Sequence, residues 1–305
     1  VSSSVSPIST NYRGVEVFEI PPNGQGITAL IALNILEKFD IASLDITSAE
    51  YYYLMIEAIR LAFADAKHFV SDPAFSSIPV HNLLSKDYAQ SRASLIDKGS
   101  ANFNFTHGDI PITGQPHSDT VYLSVIDGEG NACSFINSNF QAFGTGIIPE
   151  NCGFVLHNRG SGFVLDPEHL NCIEPKKRPY HTIIPGIAIK KDEWVCSFGN
   201  MGGIMQPQGH LQLISKMIDF DLEPQTSIDA PRFCLQGGNP GGPVHIEESL
   251  PHGSIEKLKS LGHDIILTKG FSRQVFGSAQ IIKRYENSGV LWAGSEPRCD
   301  GNAIG

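Results

Sequence analysis

The sequence predicts an α+β fold of stacked helical and sheet layers, and three observations carry that expectation. Strand-like runs rich in β-branched and aromatic residues come in neighbouring pairs around turn residues. Between them lie stretches with helical spacing of apolar residues and capping signals at their starts. The 305 residues are 41% hydrophobic and 18% charged, with 30 Gly and 19 Pro spread along the chain as turns. That composition fills a core without implying a disordered tract, and strand pairs alternating with helices bury their apolar faces as layers.

Taken in order, residues 1–14 read as a tail or junction. Val15 to Ile20 alternates as a strand, and Pro21-Pro22-Asn23-Gly24-Gln25-Gly26 breaks it before an apolar helix from Ile27 to Phe39. A strand, a glycine-containing loop and a helix can cradle a phosphate. Gly24-Gln25-Gly26 is too short for either glycine-rich fingerprint and lacks the Walker lysine, so the structural reading is preferred. Thr47-Ser48-Ala49-Glu50 is a capping box that starts a helix from Tyr51 to Val70, and Asp72-Pro73 stops it. Tyr51, Tyr52 and Tyr53 point three ways from one helical turn, which suits packing better than a stacking platform. Leu83 to Ile96 reads as a further helix, and the polar, Gly/Pro-rich residues 99–119 as an exposed linker.

A β-hairpin follows. Gly114 to Asp119 is a turn-rich lead-in, Val121 to Ile126 a strand, Asp127-Gly128-Glu129-Gly130-Asn131 the turn, and Ala132 to Ile136 the return strand. Gly153 to Leu156 reads as a strand and 157–163 as a loop. Lys176-Lys177-Arg178 is as consistent with a solvated loop as with a ligand clamp, and it leads into the apolar run Ile183 to Ile189. Trp194 to Phe198 is a strand and Gln208 to Asp219 a helix, with Gly202-Gly203 between them. Asp229-Ala230-Pro231-Arg232-Phe233 is a turn, Ile255 to Leu261 a short helix, and 264–268, 279–284 and 290–293 are strands.

A net charge of −10 with no basic stripe argues against nucleic acid as a partner. No apolar run approaches the roughly 20 residues of a membrane span, so no membrane role is expected. The first residues lack the layout of a signal peptide. Six cysteines occur without metal-site spacing and read as mostly buried free thiols, which favours a reducing, cytoplasmic compartment. The histidines are scattered, no H-E-x-x-H or G-x-S-x-G occurs, and neither metal nor cofactor is called for.

The hairpin's neighbourhood is more specific than a hairpin alone. Asp119-Thr120 precedes Ser124-Val125-Ile126-Asp127, then Gly130-Asn131, then Gly144-Thr145-Gly146, with no gap needed. This order resembles the self-cleavage junction of the gamma-glutamyltransferase family, whose members are N-terminal-nucleophile hydrolases. The Pro21–Gly26 turn, the 51–72 helix with its Asp-Pro stop, and the 229–233 turn are similar to the family too, so the likeness runs from Tyr12 to Gly305. The resemblance implies a four-layer αββα sandwich, incomplete at its amino terminus. It divides the chain into 1–119, the end of a large-subunit segment, and 120–305, a small-subunit segment carrying the nucleophile. The two processed segments would be partners of each other and of an amino-terminal large-subunit portion absent from this sequence.

The resemblance also assigns roles. Thr120 is the nucleophile, freed as a new amino terminus by cleavage after Asp119; its own α-amine, with an ordinary pKa of about 7.7–8.0, serves as the base. Gly202 and Gly203, read alone, form a tight turn; in the family a Gly-Gly pair there is the oxyanion hole. Thr182 keeps the second of two hydroxyls that the family places after Arg-Pro, and His181 replaces the first. The family's ligands for the α-amino group of a glutamyl substrate fall on Phe140, Arg159 and Gly162, so the acidic partner is missing. Arg159 instead offers a fork suited to a carboxylate. The candidate substrate-binding residues are thus Arg159, His181, Thr182, Asn139 and Phe140. The pattern looks closest to the branch with oxamate amidohydrolase and the glutathione-hydrolase-like proteins. It implies hydrolysis of a small amide bearing a carboxylate. Ordinary γ-glutamyl transfer, an inactive truncated relative acting as a binding module, and an unrelated Ser-His-Asp hydrolase are the alternatives.

Overall fold

In the computed structural model, which describes residues 4–105 and 118–305, the alternation of Val15 and Val17 buries one face of a strand. The elements in chain order are β1 (Ile8–Tyr12), β2 (Val15–Glu19), α1 (Gly26–Leu36), α2 (Ala49–Phe69), α3 (Val80–Leu83), α4 (Lys86–Ala93), β3 (Ser118–Ile126) and β4 (Ala132–Gln141). There follow β5 (Gly186–Lys190), β6 (Trp194–Met201), α5 (Met205–Asp219), α6 (Pro224–Asp229), β7 (Phe233–Leu235), β8 (Val244–Glu247), α7 (His252–Ser260), β9 (Ile265–Thr268), β10 (Ser278–Tyr285) and β11 (Leu291–Ser295).

An antiparallel sheet runs in the order β1-β2-β5-β6-β10-β11. Its two faces are told apart by the alternation along β6. Phe198 meets His210 of α5 edge-on and Asn200 lies against Gly209, so this face carries helices. Ser197 and Gly199 point the other way, onto the β3–β4 hairpin. A Cβ on Gly199 would stand 2.4 Å from the Tyr122 ring, so only glycine lets the hairpin lie this close. The layers are therefore helix, sheet and hairpin. A smaller sheet, β7-β8-β9, packs beside them.

All eleven residues of α1 are buried, between the sheet and helices α2 and α5. Each Leu or Ile so placed contributes about 1.5–3 kcal/mol relative to exposure. Ser48 caps α2 by accepting from the Tyr51 amide at 3.2 Å. Tyr51, Tyr52 and Tyr53 are all buried, and their hydroxyls donate in three directions, to Ser215 Oγ, the Pro231 carbonyl and the Ser100 carbonyl.

Several sequence expectations are corrected. Residues 8–12 are not a tail: Ile8–Tyr12 pairs with β2, and the buried Thr10 hydroxyl donates to Asn34 Oδ1 at 2.6 Å. The helix expected from Leu83 to Ile96 is broken at Ser85, whose Oγ accepts from the Tyr88 amide and starts α4 afresh. Gly153 to Leu156 is no strand; it is loop, held through backbone bonds of Leu156 to Ile147 and Thr145. The basic cluster is a structural clamp: Arg178 binds Asp72 at 2.9 Å and Lys177 binds Glu174 at 2.6 Å. Arg178 holds the Asp72 carboxyl down to about 2. Of the six cysteines, all free, only Cys196 and Cys234 are buried, so the expectation of mostly buried thiols fails. The linker expected over 99–119 falls mostly on 106–117, outside the described residues.

Candidate active site

Thr120 lies on the inner face of β3, 5% exposed, on the side that carries Tyr122 and Ser124 onto β6. Along this face Ser124 meets the Ser197 carbonyl and Tyr122 lies over Gly199. The next step in the same direction carries Thr120 toward Met201 and the Gly202-Gly203 turn. The ladder changes register at this point. Asp119 pairs with Phe140 but Thr120 pairs with Ser138, so Asn139 is a spare residue on β4, opposite the Asp119–Thr120 bond. Such bulges disrupt pairing locally and bend the strand. Phe140, just after the spare residue, takes φ of +79°, an unfavourable region for an aromatic residue.

From Thr120 a continuous set of hydrogen bonds reaches Phe140, Arg159, Thr182, His181 and Gly203. Thr120 Oγ1 donates to Ser138 Oγ at 3.0 Å, and Ser138 Oγ also accepts from the Phe140 amide at 2.8 Å. The Ser138 carbonyl accepts from the Arg159 guanidinium at 3.4 Å. Arg159 donates to Thr182 Oγ1 at 2.9 Å and lies over the Phe140 ring, 5.5 Å from its centroid. The Thr182 carbonyl accepts from Gln25 Nε2 at 2.6 Å, and the same nitrogen donates to the Gly203 carbonyl at 2.8 Å. The Pro21–Gly26 turn docks on this assembly through its backbone as well, since the Gln25 amide donates to the His181 carbonyl at 2.9 Å.

The electrostatics follow from burial. Arg159 is 5% exposed and ion-pairs with no carboxylate among the described side chains; burial pushes its pKa down to about 10, so it stays charged at neutral pH. Burial first, then Arg159 and His157, push His181 down to about 3, which leaves its ring neutral. His181 Nδ1 accepts from the Ile183 amide at 3.3 Å, so the neutral ring carries its proton on Nε2 and is a donor there.

Gly202 and Gly203 follow β6 with φ of +140° and +59°, and Met205 and Gln206 amides bond back to their carbonyls to begin α5. The turn thus ends on a helix amino terminus, where the dipole favours negative charge. Asn139 accepts at its carbonyl from the Asn158 amide at 3.1 Å. Gly162 ends the short turn that begins at Arg159, and its neighbours are Tyr180 and Pro179. Among the described residues no group of three His, Cys, Asp or Glu could hold a metal ion, and no helix is long and apolar enough to cross a membrane.

Comparison with known proteins decides the lineage. A sequence model of the family described as Gamma-glutamyltranspeptidase matches residues 2–305. The chain belongs to that family. It is 38% identical over 303 residues to the glutathione hydrolase-like YwrD proenzyme of Bacillus subtilis, covering 98% of this chain and 56% of that protein. It is 33% identical over 301 residues to the oxamate amidohydrolase proenzyme of Klebsiella pneumoniae, covering 98% and 55%. Among solved structures, cephalosporin acylase from Bacillus halodurans superposes with a TM-score of 0.83 at 41% identity, covering 98% of this chain and 52% of that one. The chain thus spans about half the length of the relatives it matches. Membership gives the chain the family's α+β fold, and its relatives include proteins named as amidohydrolase, acylase and glutathione hydrolase proenzymes.

Within this family frame, two contributors were not among the expected site residues. Ser138 pairs with Thr120 across the hairpin, but the spare residue Asn139 breaks the alternation between it and Phe140, so strand periodicity does not mark it. Gln25 had no local signal, because its partners lie 157 and 178 residues away.

Proposed function

We propose that the chain is part of a threonine-nucleophile amidohydrolase that processes itself between Asp119 and Thr120 and cleaves a small amide bearing a carboxylate. The observation that supports it most is Arg159: a buried cation, without a carboxylate partner among the described side chains, joined through Ser138 to Thr120. Leaving a buried charge uncompensated is costly, and a substrate carboxylate relieves that cost.

In self-processing, Thr120 Oγ1 attacks the Asp119 carbonyl carbon. The 119–120 C–N bond breaks, its nitrogen takes the hydroxyl proton, and an ester links Asp119 to Oγ1. Water hydrolyses that ester, releasing the Asp119 carboxylate and a free Thr120 α-amine. In turnover this amine takes the hydroxyl proton, Oγ1 attacks the substrate amide, and the N–H groups of Gly202 and Gly203 receive the oxyanion. The proton passes to the leaving amine, and water releases the acyl group. Arg159, held against Phe140 and Thr182, binds the carboxylate, with His181 Nε2 as a further donor. Asn139 and Phe140 shape the wall beneath it. Segments 1–119 and 120–305 stay together after the cut, because β2 of the first pairs with β5 of the second. The polypeptide portion that the longer relatives carry is the remaining partner, and a reducing compartment suits the six unpaired thiols.

The test has two arms. Intact mass is measured for the parent and Thr120→Ala, each alone and with the additional polypeptide that the longer relatives carry; fragments split at 119–120 in the parent only are expected, and an uncut parent under both conditions overturns the reading. Turnover is then compared between amides with and without a carboxylate. A drop in kcat/KM of about 10-fold or more without it is expected, from the roughly 1.5–3 kcal/mol of a charge-assisted hydrogen bond, and the gap should close in Arg159→Gln. Equal rates in the parent sink the carboxylate assignment.

A further inference from the structure

We infer that Gln25 is a positioning residue that sets the spacing between the carboxylate-binding flank and the oxyanion turn. This inference rests on the roles proposed above for Arg159, Thr182, Gly202 and Gly203. Gln25 is fully buried at the start of α1, in the segment before the 119–120 bond, while both of its acceptors lie after that bond.

One amide nitrogen spends both of its hydrogens on two carbonyls. The first belongs to Thr182, whose own hydroxyl holds Arg159. The second belongs to Gly203, whose peptide plane, together with its left-handed φ, fixes where the neighbouring N–H groups aim. Gln25 is itself immobilised from three sides. Its amide bonds the His181 carbonyl, its carbonyl accepts from Thr28, and Tyr180 donates to its Oε1 at 3.4 Å. The planar amide therefore acts as a strut of fixed length between the group that orients the substrate and the donors that receive the developing charge. Catalysis depends steeply on such placement, and misplacement by about 1 Å costs on the order of 100-fold.

Gln25→Glu tests this with almost no change in shape. The ionised carboxylate offers no donor and faces two carbonyl oxygens; the protonated acid restores one donor. The full chain is made as Gln25→Glu and Gln25→Leu, and 119–120 cleavage is followed by intact mass beside parent and Thr120→Ala. Cleavage more than tenfold slower in both variants is expected, with melting temperature close to the parent. The deficit of Gln25→Glu relative to parent should shrink as pH falls. Parent-like cleavage in Gln25→Glu, a deficit equal at every pH, or failure of both variants to fold would overturn the positioning role.

A second readout needs no cleavage. The Ile183 and Ile204 amides belong to the two peptide units whose carbonyls Gln25 holds. In Gln25→Glu their resonances should titrate together with one midpoint, whereas a shift confined to one flank refutes the strut. An uncut parent with coupled titration would therefore remove the proposed reaction and leave the strut standing.

Discussion

Every residue of α1 is buried, whereas β3 buries only the face that carries Thr120, Tyr122 and Ser124. On the other face Val121, Leu123 and Val125 are 66%, 43% and 49% exposed. Both elements are largely apolar, yet they are held by different forces. The helix is fixed by close packing on all sides, which is strong and insensitive to the direction of any one contact. The strand is fixed on one side by directional bonds from Tyr122 and Ser124 to β6 and by the close approach at Gly199. The proposed site would benefit from that division, because the packed helix supplies a rigid floor while the strand holds Thr120 in a defined direction.

The difference can be broken most severely at the helix. Leu33→Ala, at a position with no exposure, should cost about 2–5 kcal/mol in denaturant unfolding, from lost transfer energy plus an unfilled cavity. A loss below about 1 kcal/mol would mean that α1 repacks and is no rigid floor. Tyr122→Phe should cost less, about 1 kcal/mol, because the hydroxyls of Ser134 and Ser197 that it meets can turn to other acceptors. Its cleavage rate at 119–120 should fall more than its stability does; a rate unchanged while stability drops would separate the strand's anchoring from the placement of Thr120. Leu123→Ser, on the open face, should change stability by no more than about 0.5 kcal/mol. A larger loss would show that this face is covered in solution, and analytical ultracentrifugation would reveal whether a second copy covers it.

Much of this architecture is legible in the sequence where local chemistry decides it. The Asp127–Asn131 turn fixes the hairpin, and the Ser48 cap fixes the start of α2. It is illegible where distant partners decide. The strand Ile8–Tyr12 is half polar, and only Asn34 on α1 makes burial of Thr10 favourable. Strands β7 and β8 sit beyond a turn signature and are short, so neither shows a period. Phe154 and Leu156 have strand composition but no neighbouring edge, and they stay in a loop. The candidate site follows the same rule. Thr120, Arg159, Thr182 and the glycine pair stand out through motif order, and the structure links them. Gln25 and Ser138 gain their significance only when segments more than a hundred residues apart, or two strands of a hairpin, are brought into contact.

The spare residue on β4 has a mechanical consequence. It lies across from the bond proposed for cleavage, so the ladder is interrupted there and intact beyond it: Val121 faces Asn137, and each following residue has its partner down to Ile126 and Ala132. A cut at that seam would leave the new chain end clamped along the hairpin from Thr120 to Ile126 while the departing end hangs from a discontinuity. The fold resembles a perforated sheet that tears along one line, leaving the printed edge flat.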